Sequence, residues 1–192
     1  MSLSRKRVTL EGTTTLLMHN GELANPLSEG ALALKKLTGI RNKTPEVYQQ
    51  IADTEWKFGL YVNGDGRIHI PGHMLDALVR DGGKRSKNGK TIVGGLLCED
   101  GDFSYEGSKK VDVLERSGKS RFTTTVVIKR SRTVRTRPAF FPWSVVFIAN
   151  IDLRTVSEEV FAQALHEAET IGLGDWRPRF GRFRVVSIEA AD

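Results

Sequence analysis

Thr155-Val-Ser-Glu-Glu-Val-Phe-Ala-Gln-Ala-Leu-His-Glu-Ala-Glu-Thr-Ile-Gly-Leu-Gly-Asp-Trp-Arg-Pro-Arg-Phe-Gly-Arg-Phe-Arg-Val-Val-Ser-Ile188 decides how the rest of the chain is read. Thr155 with Glu158 has the spacing of a capping box, which predicts a helix start. Val156, Val160, Phe161, Ala164, Leu165, Ala168 and Ile171 then recur on one helical face. Gly172 is placed to end that helix, because a left-handed cap suits a residue without a Cβ. After the loop to Gly181, Arg182–Ile188 is rich in β-branched residues and predicts a strand. The segment is therefore a helix returning to a sheet through a glycine- and arginine-rich loop.

Working towards the N-terminus, 139–151 and 122–129 predict two strands, the first of them apolar enough to be central. His73–Arg80 predicts a short helix, stopped by Gly82-Gly83. Val8–Met18 predicts the first strand, closed by the turn residues His19-Asn20-Gly21. Two helices follow it, starting at Asn25-Pro26 and Thr44-Pro45, where a capping side chain precedes a first-turn proline. Asn63-Gly-Asp-Gly66 between Leu60-Tyr-Val62 and Ile68-His-Ile70 predicts a hairpin. Residues 91–115 give no clear element. Without insertions the order is β-α-β-β-α-β, the ferredoxin-like (RRM-like) arrangement of the α+β class. Such a domain packs two helices on one sheet face and leaves the other face free. The expectation is one domain over residues 1–192, with a helical insertion after the first strand at about 21–58.

The 192 residues carry 29 Lys and Arg against 23 Asp and Glu, a formal charge of +6. Their pI is about 9.6, which favours a polyanionic partner. Cys98 is the only cysteine, which excludes a disulfide framework and a multi-cysteine metal site. It reads as a small buried hydrophobe. Neither a signal peptide nor an apolar span long enough for a membrane is visible, so a cytoplasm-like compartment is expected, bacterial or in a phage-infected host. No phosphate loop, dinucleotide fingerprint or nucleophile elbow occurs, and no cofactor is expected.

The cations are clustered. Arg130, Arg132, Arg135 and Arg137 lie in a stretch without acids. Lys84, Arg85 and Lys87 fall in a polar run expected to be an exposed loop. Arg177, Arg179, Arg182 and Arg184 follow the helix. Convergence of these groups on the helix-free sheet face would make a phosphate-binding groove, since each neutralised phosphate releases a counterion. Trp176 and Phe180, interleaved with the last group, would offer stacking surfaces for bases. His19 and His73 are the residues with the chemistry for acid–base work near neutral pH.

The 172–184 loop resembles the C-terminal glycine-rich loop of the RAMP superfamily, RNA-handling proteins of CRISPR–Cas systems. Ile70-Pro-Gly-His-Met-Leu-Asp-Ala-Leu-Val-Arg80 resembles a second segment of that superfamily, keeping Ile70, Pro71, Gly72, Leu75 and Arg80. It departs at His73-Met74 and Asp76-Ala77, where small and basic residues are usual. The resemblance implies binding of single-stranded nucleic acid, RNA above all, by copies that line up along the strand. It also implies an alternative, a metal-independent endoribonuclease using His19 or His73. The chain is similar as well to small proteins of tailed bacteriophages and prophages. A third reading, a self-assembling structural or interaction protein, follows from that likeness.

Overall fold

The computed structural model describes residues 2–128 and 130–192. In chain order the elements are β1 (Leu3–Gly12), β2 (Leu16–Leu17), a 3-10 turn at Gly21–Ala24, α1 (Glu29–Thr38) and α2 (Pro45–Gly59). There follow β3 (His69–Ile70), α3 (Gly72–Gly83), α4 (Gly89–Gly95), β4 (Leu96–Cys98), β5 (Gly101–Tyr105) and α5 (Val111–Ser117). The chain ends with β6 (Arg121–Ile128), β7 (Ser131–Phe140), β8 (Trp143–Asp152), α6 (Glu158–Ala168) and β9 (Phe183–Ala190). They form two units, one of residues 2–16, His69–Glu106 and Phe141–Asp192, the other of Leu17–Ile68 and Gly107–Phe140.

The first unit is α+β, an antiparallel sheet in the order β3-β5-β8-β1-β9. β4 pairs with β8 beyond β5, Leu96 facing Ile151 and Asp102 facing Val146, so β4 and β5 act as one interrupted strand. The result is the split β-α-β-β-α-β order, with α3 and α6 as its helices. Alternation places Trp143, Val145, Phe147, Ala149 and Ile151 of β8 on the buried face. Val8 and Leu10 of β1 lie beside them, and Leu75, Leu78 and Val79 of α3 and Phe161, Ala164 and Leu165 of α6 are equally buried. Each of the Val, Leu, Ile and Phe side chains among them contributes about 1.5–3 kcal/mol of burial free energy. The two helices pack closely because Gly82 has no side chain; a Cβ there would lie 1.9 Å from the Ala164 carbonyl oxygen.

Several expectations need correction. The strand at 122–129 does not join this sheet: β6 pairs with β7 along its length, Arg121 facing Pro138 and Ile128 facing Ser131. The second strand of the main sheet comes instead from the stretch at 91–115. The expected strand at 139–151 is two strands, separated at Phe141-Pro142, where the proline interrupts the ladder. α6 is capped by Ser157, whose hydroxyl accepts from Val160 N–H, and α1 by Ser28, so Thr155 and Asn25 are not the caps. Thr44 with Pro45 does begin α2. The hairpin at Asn63–Gly66 is a single bridge between Val62 and Ile68. Residues 84–88 are a tight turn into α4, with Asn88 N–H donating to the Gly83 carbonyl (2.7 Å).

The second unit holds the three-stranded sheet β2-β7-β6. It therefore includes the helical segment at 21–58 and also the β6–β7 hairpin. Trp56 of α2 is fully buried and donates from Nε1 to the Ser120 carbonyl at 2.6 Å. Glu55 beside it is buried, its carboxylate accepting from Arg135 (2.8 Å) and from Thr136 N–H (2.7 Å). A buried carboxylate needs such partners, because an unpaired one would cost several kcal/mol, roughly.

Candidate nucleic-acid interface

The glycine-rich loop of the first unit is shaped by backbone angles that most residues avoid. Gly172, Gly174 and Gly181 have φ of 88°, 82° and 73°. Gly181 also passes so close to Leu173 that a Cβ would lie 1.7 Å from its carbonyl oxygen. Leu173 N–H donates to the Gly181 carbonyl (2.9 Å) and Gly181 N–H to the Thr15 carbonyl (2.8 Å), tying the loop to the connection between β1 and β2. Trp176 is left-handed as well, with φ 51°, a conformation costing a bulky residue about 1–2 kcal/mol. Its ring lies 6.3 Å from that of Phe180, tilted by 56°.

The cations of this loop meet those of α3. Asp81, near the end of α3, holds Arg80 (3.0 Å), Lys84 (2.8 Å) and Arg177 (3.4 Å) around one carboxylate. Its partial burial opposes ionisation, but hydrogen bonds from Lys84 and Arg80 outweigh this and hold its carboxyl below the ordinary value of 3.8. Arg177 also donates to the Gly172 carbonyl (3.4 Å). Arg85 reaches α6, donating to the Glu167 carbonyl and the Thr170 hydroxyl. Arg182 donates from Nε to the Pro178 carbonyl (2.8 Å), while Arg179 is exposed. Arg80, Lys84 and Arg177 thus form one connected cationic group where α3 and the loop come together, with Arg85 held separately against α6. Lys87, left-handed at φ 64°, is exposed in the turn after α3.

This is not the arrangement expected from the sequence. The helix-free sheet face carries Arg5, Arg7 and Arg184, but beside Glu11, Glu99, Asp102 and Glu189. Arg184 is paired with Glu11 (2.6 Å) and Arg5 with Glu99 (3.2 Å). Lys84, Arg85 and Arg177 converge, yet on the helical side. Arg130, Arg132, Arg135 and Arg137 lie in the second unit, within and just before β7, a stretch expected between the strands at 122–129 and 139–151. Arg135 is committed to Glu55, and Arg137 is buried and donates to the Thr136 carbonyl; Arg130 and Arg132 are exposed.

His73 is exposed in the first turn of α3, and His19 belongs to the second unit, its carbonyl accepting from the Tyr61 hydroxyl (3.0 Å). Asp76 and Asp100 have structural work. Asp76 accepts from Cys98 N–H (2.7 Å), and Asp100 accepts from Gly72 N–H (2.8 Å) at the start of α3. Gly72 is required there, since a Cβ would lie 2.2 Å from the Cys98 carbonyl oxygen. Cys98 is buried, which pushes its thiol pKa far up and leaves it unreactive. The residue that sequence reasoning missed is Asp81. Its only signal is its place beside Arg80 and one turn before Lys84.

Among the described residues, no group of three His, Cys, Asp or Glu side chains could hold a metal ion, and no helix is long and apolar enough to cross a membrane. No family model and no curated protein matches the chain. Among solved structures, the chain is similar to one from the cryo-EM structure of the Type III-B Cmr-beta bound to cognate target RNA, with a TM-score of 0.51 and 13% identity. The likeness covers 100% of this chain and 61% of that one, so this chain spans about three fifths of its neighbour's length. At that identity it bears on the fold, and it agrees with the α+β architecture of the first unit.

Proposed function

We propose that this chain is a RAMP-like binder of single-stranded nucleic acid, RNA in preference to DNA, without catalysis of its own. The observation that carries the reading is the gathering of Arg80, Lys84 and Arg177 around Asp81, next to a glycine loop that holds Trp176 and Phe180. Guanidinium groups suit bidentate contacts to phosphate, and Asp81 aims two of them without neutralising the group. Aromatic rings beside them offer stacking worth about 1–3 kcal/mol per base. Arg179 and Arg182 extend the path along the loop, and Lys87 adds charge at its margin. The similar chain comes from a structure bound to target RNA, which supports an RNA ligand and association with further subunits; lining up of copies along the strand is part of the proposal.

The test is a titration of fluorescein-labelled oligouridine and its DNA counterpart over a range of salt. Engagement of four cations, Arg80, Lys84, Arg177 and Arg179, predicts a slope of log affinity against log salt of about −3, since single strands give roughly −0.7 per phosphate contact. A slope near zero, or binding unchanged by Arg177→Ala with Arg179→Ala, would overturn the reading.

A further inference from the structure

We infer that the open edge of β7 is a docking site for an extended acidic peptide, which adds to the second-unit sheet as a strand. β7 is ten residues long and is paired with β6 from Ser131 to Pro138. On its other side β2 supplies only two residues, beside which Met18 N–H donates to the Pro138 carbonyl (3.0 Å). Thr136 N–H points to that same side, and a side chain, not a strand, receives it: Glu55 (2.7 Å). Backbone direction alternates along a strand, so the N–H and C=O of Arg132 and Val134 also face this side. No strand lies there among the described residues.

Beside this edge runs a groove of about 550 Å³, whose lining includes Tyr48, Ile51 and Ala52 of α2 as well as Arg132 and Val134. Val134 is 55% exposed and Tyr48 60%. An unpaired edge with both donors and acceptors, backed by an apolar wall, is what strand addition uses. A polyanionic nucleic acid could satisfy the amides but would meet the Arg132 and Val134 carbonyls with like partial charge. A peptide satisfies both. Its acidic character follows from the charges along the groove, where Arg132 is exposed, Lys43 is half-buried and Glu55 is already neutralised by Arg135. The inference does not depend on the nucleic-acid reading, which concerns the first unit.

The geometry also supplies the test. Val134 pairs with Thr125 without ladder hydrogen bonds, so Val134→Pro removes the outward N–H and leaves the β6 ladder intact. The probe is a fluorescein-labelled peptide of alternating valine and glutamate, its affinity read by anisotropy with the full chain. Binding that weakens at least tenfold in Val134→Pro, and again when alternate peptide amides are N-methylated, is the expected result. Arg132→Glu, which leaves the backbone unchanged, should also weaken it at least threefold. Slower hydrogen exchange at Arg132 and Val134 in the unaltered chain on adding peptide gives a reading free of any folding defect. Absence of binding, or binding indifferent to N-methylation, overturns the inference. So does oligouridine displacing the peptide from this edge, or self-association that Val134→Pro abolishes, since the occupant is then nucleic acid or a second copy.

Discussion

Arg130–Arg137 and Arg177–Arg184 look alike as text, with four arginines in eight residues each. In the first stretch, strand alternation turns Arg137 inward and brings Arg135 to buried Glu55, so two of the four cations hold the second unit together. In the second stretch, glycines replace alternation. The loop turns back on Leu173, and Arg177, Arg179 and Arg182 stand exposed on it, Arg177 meeting α3, while Arg184 already lies on β9 opposite Glu11. Charge density alone therefore does not mark a ligand site. What separates the two is whether the backbone is a regular ladder or a glycine-shaped loop.

The sharpest way to break this contrast is Glu55→Ala, which should cost about 3–5 kcal/mol, because Arg135 and the Thr136 amide lose a shared buried partner. Thermal unfolding should fall by roughly 6–20 °C, with oligouridine affinity unchanged below that transition; a fall of under 2 °C would deny Arg135 its structural role. Next in size is Gly181→Ala. A Cβ against the Leu173 carbonyl, at a left-handed φ, should cost about 2–3 kcal/mol by calorimetry, and it should weaken oligouridine binding at least tenfold. Retained binding would show that loop shape does not matter to the ligand.

Smaller in stability but decisive for function is the pair Arg177→Ala with Arg179→Ala. Unfolding should shift by no more than about 2 °C, since exposed pairs contribute little, while the salt slope for oligouridine should become shallower by about 1.4. Asp81 gives the finest test. Its folded-state pKa lies below the unfolded value, so the stability it contributes is present above pH 3.8 and is lost as pH falls through the lower folded value. Asp81→Asn should flatten that acid limb of the unfolding curve, and a limb of unchanged steepness would remove Asp81 from the account.

Legibility follows the range of the physics involved. The order α6, glycine loop, β9 could be read because local periodicity and a glycine end-signal agree. β5 escaped because Gly101-Asp-Phe-Ser-Tyr105 is short and half polar; what makes it a strand is the ladder to β8, supplied from forty residues away in sequence, roughly. β6 and β7 have strand composition, but nothing local says which sheet they join. Among the site residues, Arg177 and Trp176 announced themselves by composition. Asp81 did not, because its role depends on a partner nearly a hundred residues later. The helix-free face failed as a prediction because Glu11 and Glu99 sit opposite its arginines, a pairing that only register reveals.

The second unit is assembled from Leu17–Ile68 and Gly107–Phe140, and the segment between them belongs to the first. The polypeptide therefore passes from one body to the other four times. Neither can be excised as a continuous fragment, and a single proteolytic nick cannot separate them. During synthesis β1 emerges well before β8 and β9, its neighbours on either side, so the central sheet closes only after β9 has left the ribosome.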